Sequence, residues 1–195
     1  MLKPVKRIFS IPIVHTATDL GTLAEPVRRR YLRERGPAAW QDRERIVEEV
    51  WNNIRQRIDG LRLDYRAVLI YQDGLPLCGH EMEIVRELAG AGSRNHQLVL
   101  GVVQQGATLI GTEDPRLLIR EYELQRRQLK SAQAERGEPP PSALDAAEIL
   151  ELRDRFIAGR IAETLGEGQT GLLFLGAAHR LDAMLASDIR VERLT

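Results

Sequence analysis

Apolar residues fall along the chain in two kinds of pattern. Four short runs are continuously apolar between turn or polar residues: RIFSIPIV (7–14), RAVLIY (66–71), ATLIG (107–111) and GLLFLG (171–176). Runs of this length without alternation fit strands covered on both faces. A fifth run, DIRVERL (188–194), alternates, with Ile189, Val191 and Arg193 on one side, and suits a sheet edge. Between the runs the period lengthens to that of a helix. DRERIVEEVWNNIRQRIDG (42–60) spaces Ile46, Val47, Val50, Trp51, Ile54 and Ile58 by three and four, with Gly60 as its stop. Two shorter helices are predicted over EMEIVRELAG (81–90) and SRNHQLVLGVVQQG (93–106), the second capped by Ser93. A longer one opens with Asp114 as cap and Pro115 at its first position, and turns polar toward its end. The prolines of GEPPP (137–141) stop it, because a ring without an N–H cannot continue a helix. A last long helix restarts at Ser142, with Asp145 completing a capping pattern, and ends at Gly166. A short helix is expected between the fourth and fifth strands.

Strands alternating with helices predict an α/β fold, a mostly parallel central sheet of about five strands with helices on both faces. The chain has 195 residues and is 43% apolar, a size that suits one hydrophobic core. Residues 1–195 are therefore read as a single α/β domain with a Pro-rich break at 137–141.

Charge narrows the partners. Basic and acidic residues number 28 each, so no overall field draws the chain to nucleic acid or anionic lipid, and neither is expected as a partner. The Arg28–Arg35 cluster, RRRYLRER, is read as a solvated, partly helical stretch rather than a phosphate site. Cys78 is the single cysteine, which excludes an internal disulfide and a multi-thiolate zinc site. The basic and then apolar start is interrupted by Ser10 and Pro12 and makes a poor leader, and no run approaches the roughly 20 apolar residues of a membrane span. A cytoplasmic protein is expected.

The candidate chemistry lies where strands end, because open α/β sheets bind ligands beyond the carboxyl ends of their strands. His15 follows the first strand, Asp73 the second, Glu113 the third and His179 the fourth. Imidazole and carboxylate are suitable ligands for divalent manganese, cobalt or zinc, and an ion with an open position lowers the pKa of a bound water. His15 and His179 are read as metal ligands, and Asp73 and Glu113 as the catalytic carboxylates. Gly176 lets the backbone pass close to a bound group. His80 and His96 are read as surface or cap residues.

Residues 151–194 resemble the TraB/PrgY and Tiki group, within a wider set that includes ChaN-like and erythromycin-esterase-like proteins. The resemblance is carried by Arg153, Asp154 and Ala158 on a helix, followed by a strand ending in Gly176 and, three residues on, His179. GATLIGTEDP (106–115) is similar to the group's third strand and its acidic turn. The first Gly-x-x-His motif stands here as Pro12-Ile13-Val14-His15, and Gln72 precedes Asp73 where a glutamate is expected. The resemblance implies an α/β fold whose site combines two histidine motifs with an acidic residue. It also implies metal-dependent hydrolysis of a peptide or ester bond, with Arg153 and Asp154 supporting the ligands. The alternative is a non-catalytic module binding a small molecule or haem in the same crevice. The expected partners are a small-molecule or peptide ligand and, as a homo-oligomer, a second copy of the chain.

Overall fold

The computed structural model describes residues 5–14, 16, 18–133 and 143–194. His15, the prolines of 137–141 and the cap at Ser142 lie outside the described residues. Five strands form one sheet: β1 (Lys6–Pro12), β2 (Val68–Gln72), β3 (Thr108–Ile110), β4 (Thr170–Leu175) and β5 (Ile189–Arg193). Every pairing is parallel, in the order β3-β2-β4-β1-β5. The alternating run 188–194 is an edge strand, as its pattern implies, and the unbroken run of β4 occupies the centre.

This order fixes which face each connection covers. The chain steps one way across the sheet from β1 to β2 to β3, and the other way from β3 to β4 to β5. Right-handed crossovers must then place the first connections on one face and the later ones on the other. Helices α1 (Ala24–Gly60), α2 (Glu81–Gly90) and α3 (Arg94–Gln104) accordingly share a core with Phe9, Ile11, Val68, Ile70, Leu172 and Phe174. On the opposite face α5 (Ala143–Thr164) packs Ile157, Ala158 and Ile161 against Ile8, Leu69, Tyr71 and Leu173. Each fully buried aliphatic or aromatic side chain in these layers contributes about 1.5–3 kcal/mol. Helix α4 (Pro115–Gln133) packs along α5 of the same chain.

Local chemistry explains the helix starts. The Ser93 hydroxyl accepts the His96 amide, and Asp114 accepts the Arg116 amide at 2.8 Å, so both residues cap their helices. Helix α1 begins well before residue 42. Gly36 takes φ 81°, a left-handed value that breaks the helix, and Pro37 restarts it. The Arg28–Arg35 cluster is thus helical, and its Arg29 and Arg30 pair with Glu25 and Glu34 on the exposed surface. Between β4 and β5 the expected short helix is absent, and residues 176–188 run as successive turns. Among the described residues no helix is long and apolar enough to cross a membrane.

Candidate functional site

The site assembles where β2, β3 and β4 end. Asp73 follows β2 directly, and its amide extends the ladder by donating to the Phe174 carbonyl at 2.9 Å. The loops after β2 and β3 are joined to each other by backbone bonds, Glu113 N–H to Leu75 O at 3.0 Å and Leu77 N–H to Glu113 O at 2.9 Å. That brings Glu113 beside Asp73 with its side chain fully buried. After β4, the His179 amide donates to the Gly176 carbonyl at 3.2 Å, and this turn sends the imidazole back over the sheet end.

Helix α5 supplies the counter-charge. Arg153 lies four residues after Ile149 and four before Ile157, both of them buried, so its guanidinium enters the protein along the apolar face. Nη2 donates to Asp73 Oδ1 at 2.6 Å and to Glu113 Oε1 at 2.5 Å. Nε donates to Glu113 Oε2 at 3.1 Å, and Nη1 to Glu121 Oε2 at 2.6 Å. The neighbouring Asp154 faces His179: its Oδ1 accepts from Nδ1 at 2.5 Å, while Oδ2 accepts the Arg180 amide at 2.8 Å. A carboxylate only accepts, so Nδ1 carries a proton and the remaining ring nitrogen, Nε2, is the one that varies. Nε2 stands 3.3 Å from Asp73 Oδ2.

Among the described residues four carboxylates therefore face one guanidinium and one imidazole, and the cluster has an excess of negative charge. Its titration reflects this. Burial works to lower the His179 pKa, but the hydrogen bond and charge of Asp73, with the bond to Asp154, outweigh it and raise it to about 8. Burial works to raise Asp73, yet His179, Arg153 and the Gly176 amide hold it well below the usual carboxylate range. Glu113 is pushed up, by burial and by the Asp73 charge, against the pull of Arg153.

Among the described residues, Asp73, Glu113 and His179 offer donor atoms that all lie within 4.8 Å of one another. The donor set suits a divalent ion. With neutral His179, the lone pairs of Nε2 and Asp73 Oδ2 confront each other at 3.3 Å, a separation that two ligands about 2.0–2.2 Å from one tetrahedral ion take up. Without an ion, a proton must lie between them.

Gly176 is placed by space rather than by backbone conformation. Its amide donates to Asp73 Oδ2 at 2.9 Å, and a Cβ there would stand 2.8 Å from that oxygen. Of the residues singled out from the sequence, Asp73, Glu113, Arg153, Asp154, Gly176 and His179 meet in one cluster. Asp114 remains a helix cap. Glu121, which completes the Arg153 shell, carries no mark in the sequence, because only the packing of α4 on α5 turns it inward. His96 is buried rather than exposed: its Nδ1 meets the Ser93 hydroxyl at 2.7 Å, and that hydroxyl donates to Asp19. No family model, no curated protein and no solved structure matches the chain.

Proposed function

We propose that the chain is a metal-dependent hydrolase of TraB-like type, acting on a peptide or ester bond. The observation that carries this reading is the convergence of Asp73, Glu113 and His179 in a cluster with more carboxylates than cations. A manganese, cobalt or zinc ion bound here would supply a water of lowered pKa and polarisation of the scissile carbonyl. Asp73 Oδ2 and His179 Nε2 are the donors that would hold it. Asp154 keeps the proton on Nδ1, which leaves Nε2 free and orients the ring. Arg153 holds Asp73 and Glu113 side by side and stops two buried like charges from separating. Glu113, whose carboxyl is pushed up, is suited to take a proton from the attacking water as general base.

A second reading, a ligand-binding module without chemistry, is favoured by Arg153, which already gives both carboxylates a cation. Metal content separates the two. The wild type, dialysed at pH 8 against manganese, cobalt or zinc, is expected to retain near-stoichiometric metal by plasma mass spectrometry. Asp73→Asn and His179→Gln are each expected to lose it, and Cys78→Ser, at an exposed side chain outside the cluster, to keep it. Wild type that retains no metal, or variants that retain it fully, would refute the hydrolase reading.

A further inference from the structure

The helix missing between β4 and β5 leaves a cavity. On the α5 face, α5 packs against β2 and β4, and among the described residues the turns of 176–188 line the space over the carboxyl end of β1. The cavity measures about 600 Å³ and borders His179. This size falls within the range of small-molecule sites. Its floor is set by strand register: Pro12 stands beside Leu175, and Ser10 beside Arg193. Because residues paired across a parallel ladder face the same side, the Ser10 hydroxyl and the Arg193 guanidinium project together.

The polar side chains on this wall are Ser10, His179, Arg180, Arg193 and one carboxylate, Asp182, and the two arginines have donors to spare. Arg180 uses Nη1 on the Ala177 and His179 carbonyls and has no acidic side-chain partner among the described residues. Arg193 donates Nη2 to Asp182 at 2.6 Å, but both side chains are more than 60% exposed, so this pair is weak and exchangeable. Ser10 makes no side-chain hydrogen bond among the described residues. The same cavity is also lined by apolar groups, Pro12, Leu175 and Leu181.

We infer that this cavity binds a carboxylate carried on a small apolar body, the carboxylate held by Arg180 and Arg193 and the body seated on Pro12, Leu175 and Leu181. Two guanidinium forks match the planar, two-oxygen geometry of a carboxylate. Calling this ligand the substrate, a short peptide or acyl amino acid with its free carboxylate on the β5 side of the scissile bond, rests on the hydrolase reading. The binding itself does not.

The test is a nitrogen–proton correlation titration of the full chain in chelator, using N-acetyl-leucine, its carboxamide and inorganic phosphate. N-acetyl-leucine is expected to shift the amides of Gly176, Ala177 and Arg193, and the carboxamide to bind at least about tenfold more weakly. Arg193→Gln and Arg180→Gln should each weaken the acid about tenfold. Arg193 is the safer variant, being mostly exposed, and Arg190→Gln, on the other face of β5, should change nothing. The inference is overturned by absence of binding, by equal binding of acid and amide, by phosphate binding as tightly as the acid, or by glutamine variants that behave as wild type. Chelator makes the outcome independent of metal, so failure of either proposal leaves the other standing.

Discussion

Replacing Arg153 by Met removes the cation that three carboxylates share while keeping much of the side chain's volume. Glu113, with no side-chain exposure, loses both its guanidinium bonds and, among the described residues, keeps the Gly74 amide at 3.3 Å. Asp73 fares better, since the Gly176 amide and His179 remain. Glu121 is 29% exposed and returns to water at little cost. The penalty is thus essentially that of one buried charge left unpaired, about 3–5 kcal/mol at pH 7. With a urea dependence of about 3 kcal/mol per molar, the midpoint falls by at least about 1 M. The loss depends on pH in a definite direction. Without Arg153 the folded-state pKa of Glu113 rises further above its unfolded value, and a carboxyl shifted that way loses stability as pH rises past the unfolded pKa. The gap between wild type and variant is therefore narrow near pH 4.5 and much wider at pH 7. Arg155→Met, which breaks an exposed pair with Glu151, serves as control and costs about 0–1 kcal/mol. An Arg153→Met loss below about 1 kcal/mol, or one equal at both pH values, would refute the account of the cluster as a buried, charge-excess site.

Three further outcomes follow from the same geometry. Gly176→Ala forces Asp73 Oδ2 away from a Cβ at 2.8 Å and is expected to cost about 1–3 kcal/mol in urea unfolding, with weaker metal retention; a neutral substitution would show that the two loops adjust freely. In the metal-free protein, His179 has its pKa raised to about 8 from 6.5, so its stabilisation is complete below about pH 6.5 and is lost as pH rises through 8. The wild type should lose about 2 kcal/mol between pH 6 and pH 9 in chelator, a loss that His179→Gln lacks; parallel pH profiles for the two proteins would contradict it. Asp154→Asn removes the carboxylate that fixes the Nδ1 proton and is expected to lower metal affinity about 10–100-fold, read by competition with a chromophoric chelator; unchanged affinity would mean that the ring is oriented by its turn alone.

Much of this was legible in the chain because the signals are local. Continuous apolar runs mark β1 to β4, the alternation of Ile189, Val191 and Arg193 marks the edge strand, and Ser93 and Asp114 mark helix starts. Asp73, Glu113 and His179 were identifiable by their place after strands, since a parallel sheet gathers those ends on one side. Arg153 was marked only by the resemblance of its helix, not by its place after a strand. Other features had no local mark. The inward turn of Glu121 depends on α4 lying along α5, and the burial of His96 on Asp19, in the helical turn before α1, reaching Ser93. The gap over Ser10 and Arg193 exists because thirteen residues of turn replace a covering helix.

The sequence by itself marked the five strands, most of the helices, a mostly parallel sheet and the residue types available at its carboxyl edge, because periodicity, caps and strand ends are properties of neighbours along the chain; the length of α1 and the turns of 176–188 were not marked. Tertiary structure alone decided the strand order, and with it which loops meet, which carboxylates share Arg153 and which ring nitrogen faces Asp73. Those depend on pairings between residues far apart in sequence, and the pattern of any one segment specifies its own face without specifying the partner that covers it.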